Sequence, residues 1–131
     1  MERSDSAGVV DVTTTVDTYF EMWNNDDPAA RAGLIARAWD EDGHYVDPVL
    51  EARGYTALSD MVDAVHGQFP GHRFHRTTGV DLHHDLLRFG WELVAQDGTV
   101  AAAGLDVGLV SHDGRLRRIV GFIGALPKRA A

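Results

Sequence analysis

The sequence predicts an α+β protein, with three helices in its amino-terminal half and an antiparallel sheet after them. Two observations predict it. Apolar residues recur every three or four positions as far as Phe69, and from His72 they alternate with polar ones. Two dipeptides, Asp97-Gly98 and Asp113-Gly114, then mark hairpins, because Asp-Gly favours the tight primed turns that join neighbouring strands. Helices gathered on one face of such a sheet give a layered architecture around one core.

Val9, Val12, Val16, Tyr19, Phe20 and Trp23 form one stripe along the first helix. "NNDDP" at 24–28 ends it. Within that run Asp27 is an N-cap and Pro28 the first residue of a second helix, whose apolar face holds Leu34, Ile35, Ala38 and Trp39. "DEDG" at 40–43 breaks the chain before a short strand, His44 to Asp47. A third helix starts near Thr56 and carries Leu58, Met61, Val62, Val65 and Phe69, until "FPGH" stops it. The alternating segment from His72 to Leu82 reads as a strand, "HHD" at 83–85 as a turn, and Leu87 to Leu93 as the return strand. Strands from Val100 to Ser111 and from Leu116 to Ile123 complete a four-stranded meander. The expected order is α-α-β-α-β-β-β-β.

A chain of 131 residues suits one domain, with an ordered core over about 9–124 and frayed ends at 1–7 and "PKRAA". Its hydrophobic fraction of 44% is that of a globular protein, not a disordered one. A net charge of -8, from 20 acidic and 12 basic residues, opposes nucleic acid and anionic membrane as partners. With no cysteine, thiol catalysis, disulfides and cysteine-zinc sites are excluded. "MERSDSAG" lacks the apolar core of a signal peptide, and no apolar run approaches the ~18 residues of a membrane span. A soluble, cytoplasmic protein is expected.

The helix–helix–strand–helix–meander order resembles the cone-shaped fold of the nuclear transport factor 2-like superfamily, which includes the SnoaL-like polyketide cyclases and the ketosteroid isomerases. The resemblance covers roughly Val9 to Gly124. It implies a curved sheet wrapped around the first helix, an apolar cavity open at one end, and a homodimer joined through the outer sheet face. It also implies a site. "YVDPV" at 45–49 resembles the isomerase segment that carries the catalytic base, which points to Asp47. "TYFEMWNNDD" resembles the segment with the tyrosine that donates to the substrate oxygen, which points to Tyr19. "AGLDVGLV" resembles the segment with a second aspartate, which points to Asp106. Trp23, His44, Tyr55, Val62, His66, Phe89, Trp91 and Phe122 are expected to line the cavity, with rim or surface positions the plainer alternative for His44 and His66. One departure stands out. Ketosteroid isomerases support their donor tyrosine with another on helix three, and "ALSDMVDAVHG" has none, with Asp63 or a neighbour in its place.

These residue types suit proton transfer beside a carbonyl. One carboxylate takes the proton, while a phenol and a protonated acid donate to the developing enolate oxygen. An aspartate donates only when neutral, so its pKa must rise from about 3.9, as burial in an apolar cavity makes it do. Each position has a plainer alternative. Tyr19 also belongs to a core stripe, and Asp47 before Pro48 also suits a turn. Asp106 shares its strand face with small residues, Ala102, Gly104 and Gly108, which leave room for a ligand. The opposite face, with Leu105, Val107 and Leu109, is the more apolar, so the alternation leaves the direction of Asp106 open.

The seven histidines show no metal-ligand spacing, and no phosphate-binding loop or G-x-S-x-G elbow occurs, so neither metal nor cofactor is expected. "RLRR" at 115–118 splits between strand faces and reads as a solvated edge. The expected function is therefore a small enzyme of proton transfer, isomerase or cyclase in type, acting on an apolar carbonyl compound. Water activation of the limonene epoxide hydrolase kind is a nearby variant. The alternative is a non-catalytic module that binds a small molecule or dimerises. Whether both carboxylates face one cavity discriminates the two.

Overall fold

A computed structural model describes residues 2–130, and of residues 2–11 the backbone alone. Three helices, α1 (Glu2–Asn24), α2 (Pro28–Ala38) and α3 (Tyr55–Gln68), pack on a curved, unclosed mixed sheet. Its strands are β1 (Trp39–Val46), β2 (Glu51–Arg53), β3 (Arg73–Arg76), β4 (Asp81–His83), β5 (Leu86–Val94), β6 (Val100–Val110) and β7 (Leu116–Ile123). They lie in the order β2-β1-β7-β6-β5-β3, with β4 also on β5. No helix among the described residues is long and apolar enough to cross a membrane.

The helical stripes bury as their spacing requires. Val12, Val16, Tyr19, Phe20 and Trp23 of α1 enter the core, as do Leu58, Met61, Val62 and Val65 of α3; the side chain of Val9 lies outside the described residues. Asp27 caps α2 by accepting from the Ala29 amide, with Pro28 at the helix start. The helix α1 begins earlier than its stripe suggested, so residues 2–7 are helical and not a frayed end. Met1 and Ala131 lie outside the described residues.

Two polar clamps hold the helices, one to the sheet and one to each other. Asn24, at the end of α1, donates to the Phe74 carbonyl at 2.9 Å and accepts from the Phe74 amide at 2.8 Å. Arg31 of α2 is fully buried. Its guanidinium donates to the Asn25 carbonyl, to Ser59 and to Asp63 at 2.9 Å, so one cation joins all three helices.

The sheet departs from a plain meander in three places. Trp39 starts β1 instead of ending the second helix, and "DEDG" is an irregularity within that strand. Gly43 makes this possible, because a Cβ there would run into the Trp39 ring. The strand β1 then pairs in parallel with β7 and antiparallel with β2, a three-residue strand too short for a periodic signal. The long strand expected from His72 to Leu82 is two, β3 and β4. Between them the chain bends at Thr77–Val80, where the Thr77 amide bonds the Gly90 carbonyl and the Gly90 amide bonds Thr78 Oγ1. Both Asp-Gly hairpins form, with Gly98 and Gly114 at φ 90 and 86°. Register shifts at Leu93/Val94 and Leu109/Val110 help the sheet to curl.

Candidate active site

Tyr19, Phe20 and Trp23 face inward from α1, across the concave side of the sheet. From the sheet, β1 presents Tyr45 and the chain just after it Asp47, two residues apart and so on one face. Trp91 and Leu93 come from β5, Ala102 and Asp106 from β6. With Val65 and Phe69 at the rim of α3 they enclose a cavity of about 200 Å³. Among the described residues its lining includes no lysine, arginine or histidine.

Two hydrogen-bonded acid–phenol pairs stand in this apolar setting. The Tyr19 hydroxyl donates to Asp106 Oδ2 at 2.8 Å, and the Tyr45 hydroxyl donates to Asp47 Oδ2 at 2.6 Å. Asp47 is held on its other oxygen as well. Its Oδ1 accepts from the amides of Val49 at 2.8 Å and Leu50 at 2.7 Å. The same aspartate therefore makes the turn and lines the cavity, with Pro48 setting the backbone between the two tasks.

Asp106 is the buried member, 3% exposed. Among the described residues its Oδ1 meets no donor, nor does the Trp91 indole nitrogen meet an acceptor. Burial pushes the Asp106 carboxyl up to about 7; Tyr19 and the nearby Trp91 indole draw it down, and the Asp47 charge adds to the rise. The Tyr19 phenol lies well above its ordinary range, first through burial and then through the charge of Asp106. Burial, Asp106 and Asp47 raise Tyr45 likewise. Both phenols therefore act as donors, and Asp106 changes protonation near neutral pH.

With the geometry in place, comparison with known proteins decides the family. No family model matches the chain, and no curated protein does. A solved structure does: a proposed isomerase of the SnoaL-like family from Agrobacterium tumefaciens str. C58 is 34% identical, covering 88% of this chain and 99% of that one, at a TM-score of 0.82. The chain belongs to the SnoaL-like family. Two more distant structures share the fold. A nuclear transport factor 2-like protein of unknown function from Exiguobacterium sp. 255-15 is 20% identical at a TM-score of 0.67, covering 86% of this chain and 99% of its own. A proposed polyketide cyclase from Sinorhizobium meliloti is 15% identical at 0.63, covering 86% and 97%.

In this SnoaL-like chain the fold brings Tyr19, Asp47, Asp106, Trp23 and Trp91 to one cavity. The other expected lining residues do not reach it. His44 alternates with Tyr45, so it faces the other way and binds Glu51 Oε2 at 2.7 Å. Tyr55 starts α3 and donates to the Trp39 carbonyl at 2.8 Å. Val62 is fully buried in the core, and His66 bonds the Trp23 carbonyl at 2.6 Å. Phe89 lies behind α1, its ring packed on Tyr19 and Phe20. Phe122 is 56% exposed, because it alternates with the inward Gly121. Asp63, offered as the counterpart of a supporting tyrosine, instead pairs with Arg31. The site residue that sequence reading did not single out is Tyr45. Its spacing of two from Asp47 on a strand was the available signal.

Proposed function

We propose that this protein catalyses proton transfer, of the isomerase or cyclase type, on a small apolar carbonyl compound held in the cavity. One observation carries the reading. Two carboxylates, each held by a tyrosine hydroxyl, open onto one apolar hollow, and one of them keeps a buried oxygen without a partner among the described residues. Asp47 is the base. Its Oδ1 is occupied by two amides, so the proton goes to Oδ2, beside the Tyr45 hydroxyl. Asp106 in its neutral form donates from Oδ1 to the substrate oxygen as charge builds there. Tyr19 was expected to donate to that oxygen directly. In this arrangement its hydroxyl serves Asp106, so it positions the acid.

The names of the Agrobacterium and Sinorhizobium proteins, a proposed isomerase and a proposed cyclase, support the same reaction class. The test needs no natural substrate. In D2O the protein is expected to speed deuterium uptake at the carbon beside the carbonyl of cyclohexanone or another one- or two-ring ketone, followed by NMR. Uptake no faster than in buffer across such a set would count against the reading.

The outer face of the sheet supports a homodimer. Leu105 and Phe122 are cross-strand partners on that face, 38% and 56% exposed, with the pair Val107 and Val120 beside them. This explains why the more apolar side of β6 points away from the core. Light scattering at micromolar concentration is expected to give twice the chain mass, and Leu105→Glu with Phe122→Glu the single mass. A monomeric wild type would rule the interface out.

A further inference from the structure

We infer that the indole N–H of Trp91 is a catalytic donor, which meets the substrate's carbonyl oxygen together with Asp106. The inference rests on the proton-transfer reading above.

An enolate oxygen has more than one lone pair and gains from each donor aimed at it. The acid–phenol pairs give it one, the neutral Asp106. Tyr19 already gives its hydroxyl proton to Asp106 Oδ2 at 2.8 Å, and Tyr45 gives its own to Asp47 Oδ2 at 2.6 Å. A second donor has to come from elsewhere in the lining.

Trp91 supplies it. The residue lines the cavity and is 7% exposed, and among the described residues its buried indole nitrogen meets no acceptor. An indole nitrogen only donates. Leaving it buried and unpaired is costly, and a phenylalanine would build the same apolar wall without that cost. Trp39 also buries an unpaired indole nitrogen, but it is not in the cavity lining, so it serves as a control.

The strands fix where the Trp91 ring lies. Trp91 on β5 stands opposite Gly104 on β6, and Asp106 follows two residues along β6, so all three share the inner face. Gly104 makes room for the ring. A Cβ there would stand 2.7 Å from Trp91 Cζ2 and 3.0 Å from Cε2, the carbon that carries the indole nitrogen. The N–H edge of the ring thus lies along β6, near enough to Asp106 to act on its carboxyl. Asp106 Oδ1 is the matching group, since it too is buried and meets no donor among the described residues. The two groups are neighbours that do not bond each other. One ligand oxygen completes both, accepting from the neutral carboxyl at Oδ1 and from the indole N–H. Within the lining Trp91 and Asp106 are buried while Val49 and Gln68 are exposed, so a ketone enters oxygen first.

The test uses cyclohexanone and methylenecyclohexane, which has a CH2 group in place of the oxygen and otherwise the same shape. Each is titrated into wild-type protein, and the assigned indole N–H signals are followed by NMR. The Trp91 signal is expected to move downfield with the ketone and not with the hydrocarbon, while the Trp39 signal stays in place with both. Deuterium uptake into the ketone is then compared between wild type and Trp91→Phe, with melting temperatures recorded. The variant is expected to slow uptake by about 10²-fold, chiefly in kcat, as the loss of one oxyanion donor does. A wild type that does not speed uptake overturns the proton-transfer reading, and the catalytic role of Trp91 with it. If the wild type does speed uptake, a Trp91 signal that answers both probes alike, or neither, overturns the role of Trp91 alone. So does a Trp91→Phe protein that exchanges as fast as wild type. Where the variant fails to fold, the indole signals of the wild type decide.

Discussion

Replacing Asp47 by asparagine is expected to slow deuterium uptake into the ketone by about 10²- to 10⁴-fold, the usual contribution of a positioned general base. The affinity for the ketone should change by no more than about two-fold, because the variant removes a proton acceptor and little volume. The local geometry makes this substitution specific. Asparagine keeps a carbonyl oxygen, which can still accept from the Val49 and Leu50 amides and hold the turn. What it loses is Oδ2, the atom that faces the Tyr45 hydroxyl. An amide nitrogen there cannot take a proton. The rate is read by NMR in D2O on the same ketone for both proteins. If the two rates agree, Asp47 is a turn residue that happens to line the cavity, and the base must be sought elsewhere.

How far the sequence foretold this arrangement depends on the range of each signal. Helical stripes and caps are local, so the second helix was legible from Asp27-Pro28 and Leu34-Ile35 alone. The hairpins were legible from two Asp-Gly pairs for the same reason. The parallel pairing of β1 with β7 was not, since it joins segments about 75 residues apart and leaves no local mark. The bend that divides β3 from β4 was hidden because alternation continues through it. In the site, the strand rule of alternate faces carried most of the information. Applied to 44–47, it puts Tyr45 with Asp47 and sends His44 to the other side. Applied to 121 and 122, it turns Gly121 inward and Phe122 outward. Asp106 resisted the rule, because β6 turns its larger apolar residues, Leu105 among them, outward, and an apolar outer face mimics a core face.

The stability of the wild type is expected to fall by roughly 4 kcal/mol between pH 4 and pH 8 relative to Asp106→Asn, each step of one in pKa being worth 1.36 kcal/mol. The direction follows from where the proton sits. The carboxyl has an ordinary value of 3.8 and is pushed up to about 7 in the folded protein by burial first, with the Asp47 charge adding to the rise. Below 3.8 the folded and unfolded chains both hold the proton, and stability does not depend on pH through this group. From 3.8 to 7 the unfolded chain releases its proton while the folded one keeps it, so stability declines as pH rises. Above 7 both are ionised and the loss is complete. Asparagine does not titrate. Any constant cost of its amide in place of the unpaired Oδ1 cancels when the two pH profiles are subtracted, and so do the other titrating groups that the substitution leaves alone. Urea denaturation from pH 4 to 8 measures the difference. The same neutral form that stabilises the fold is the one that donates to the substrate oxygen, so ketone exchange should decline with rising pH over the upper part of this range. Parallel stability profiles would mean that Asp106 ionises as an ordinary carboxylate, and a charged group at that point has no proton to give.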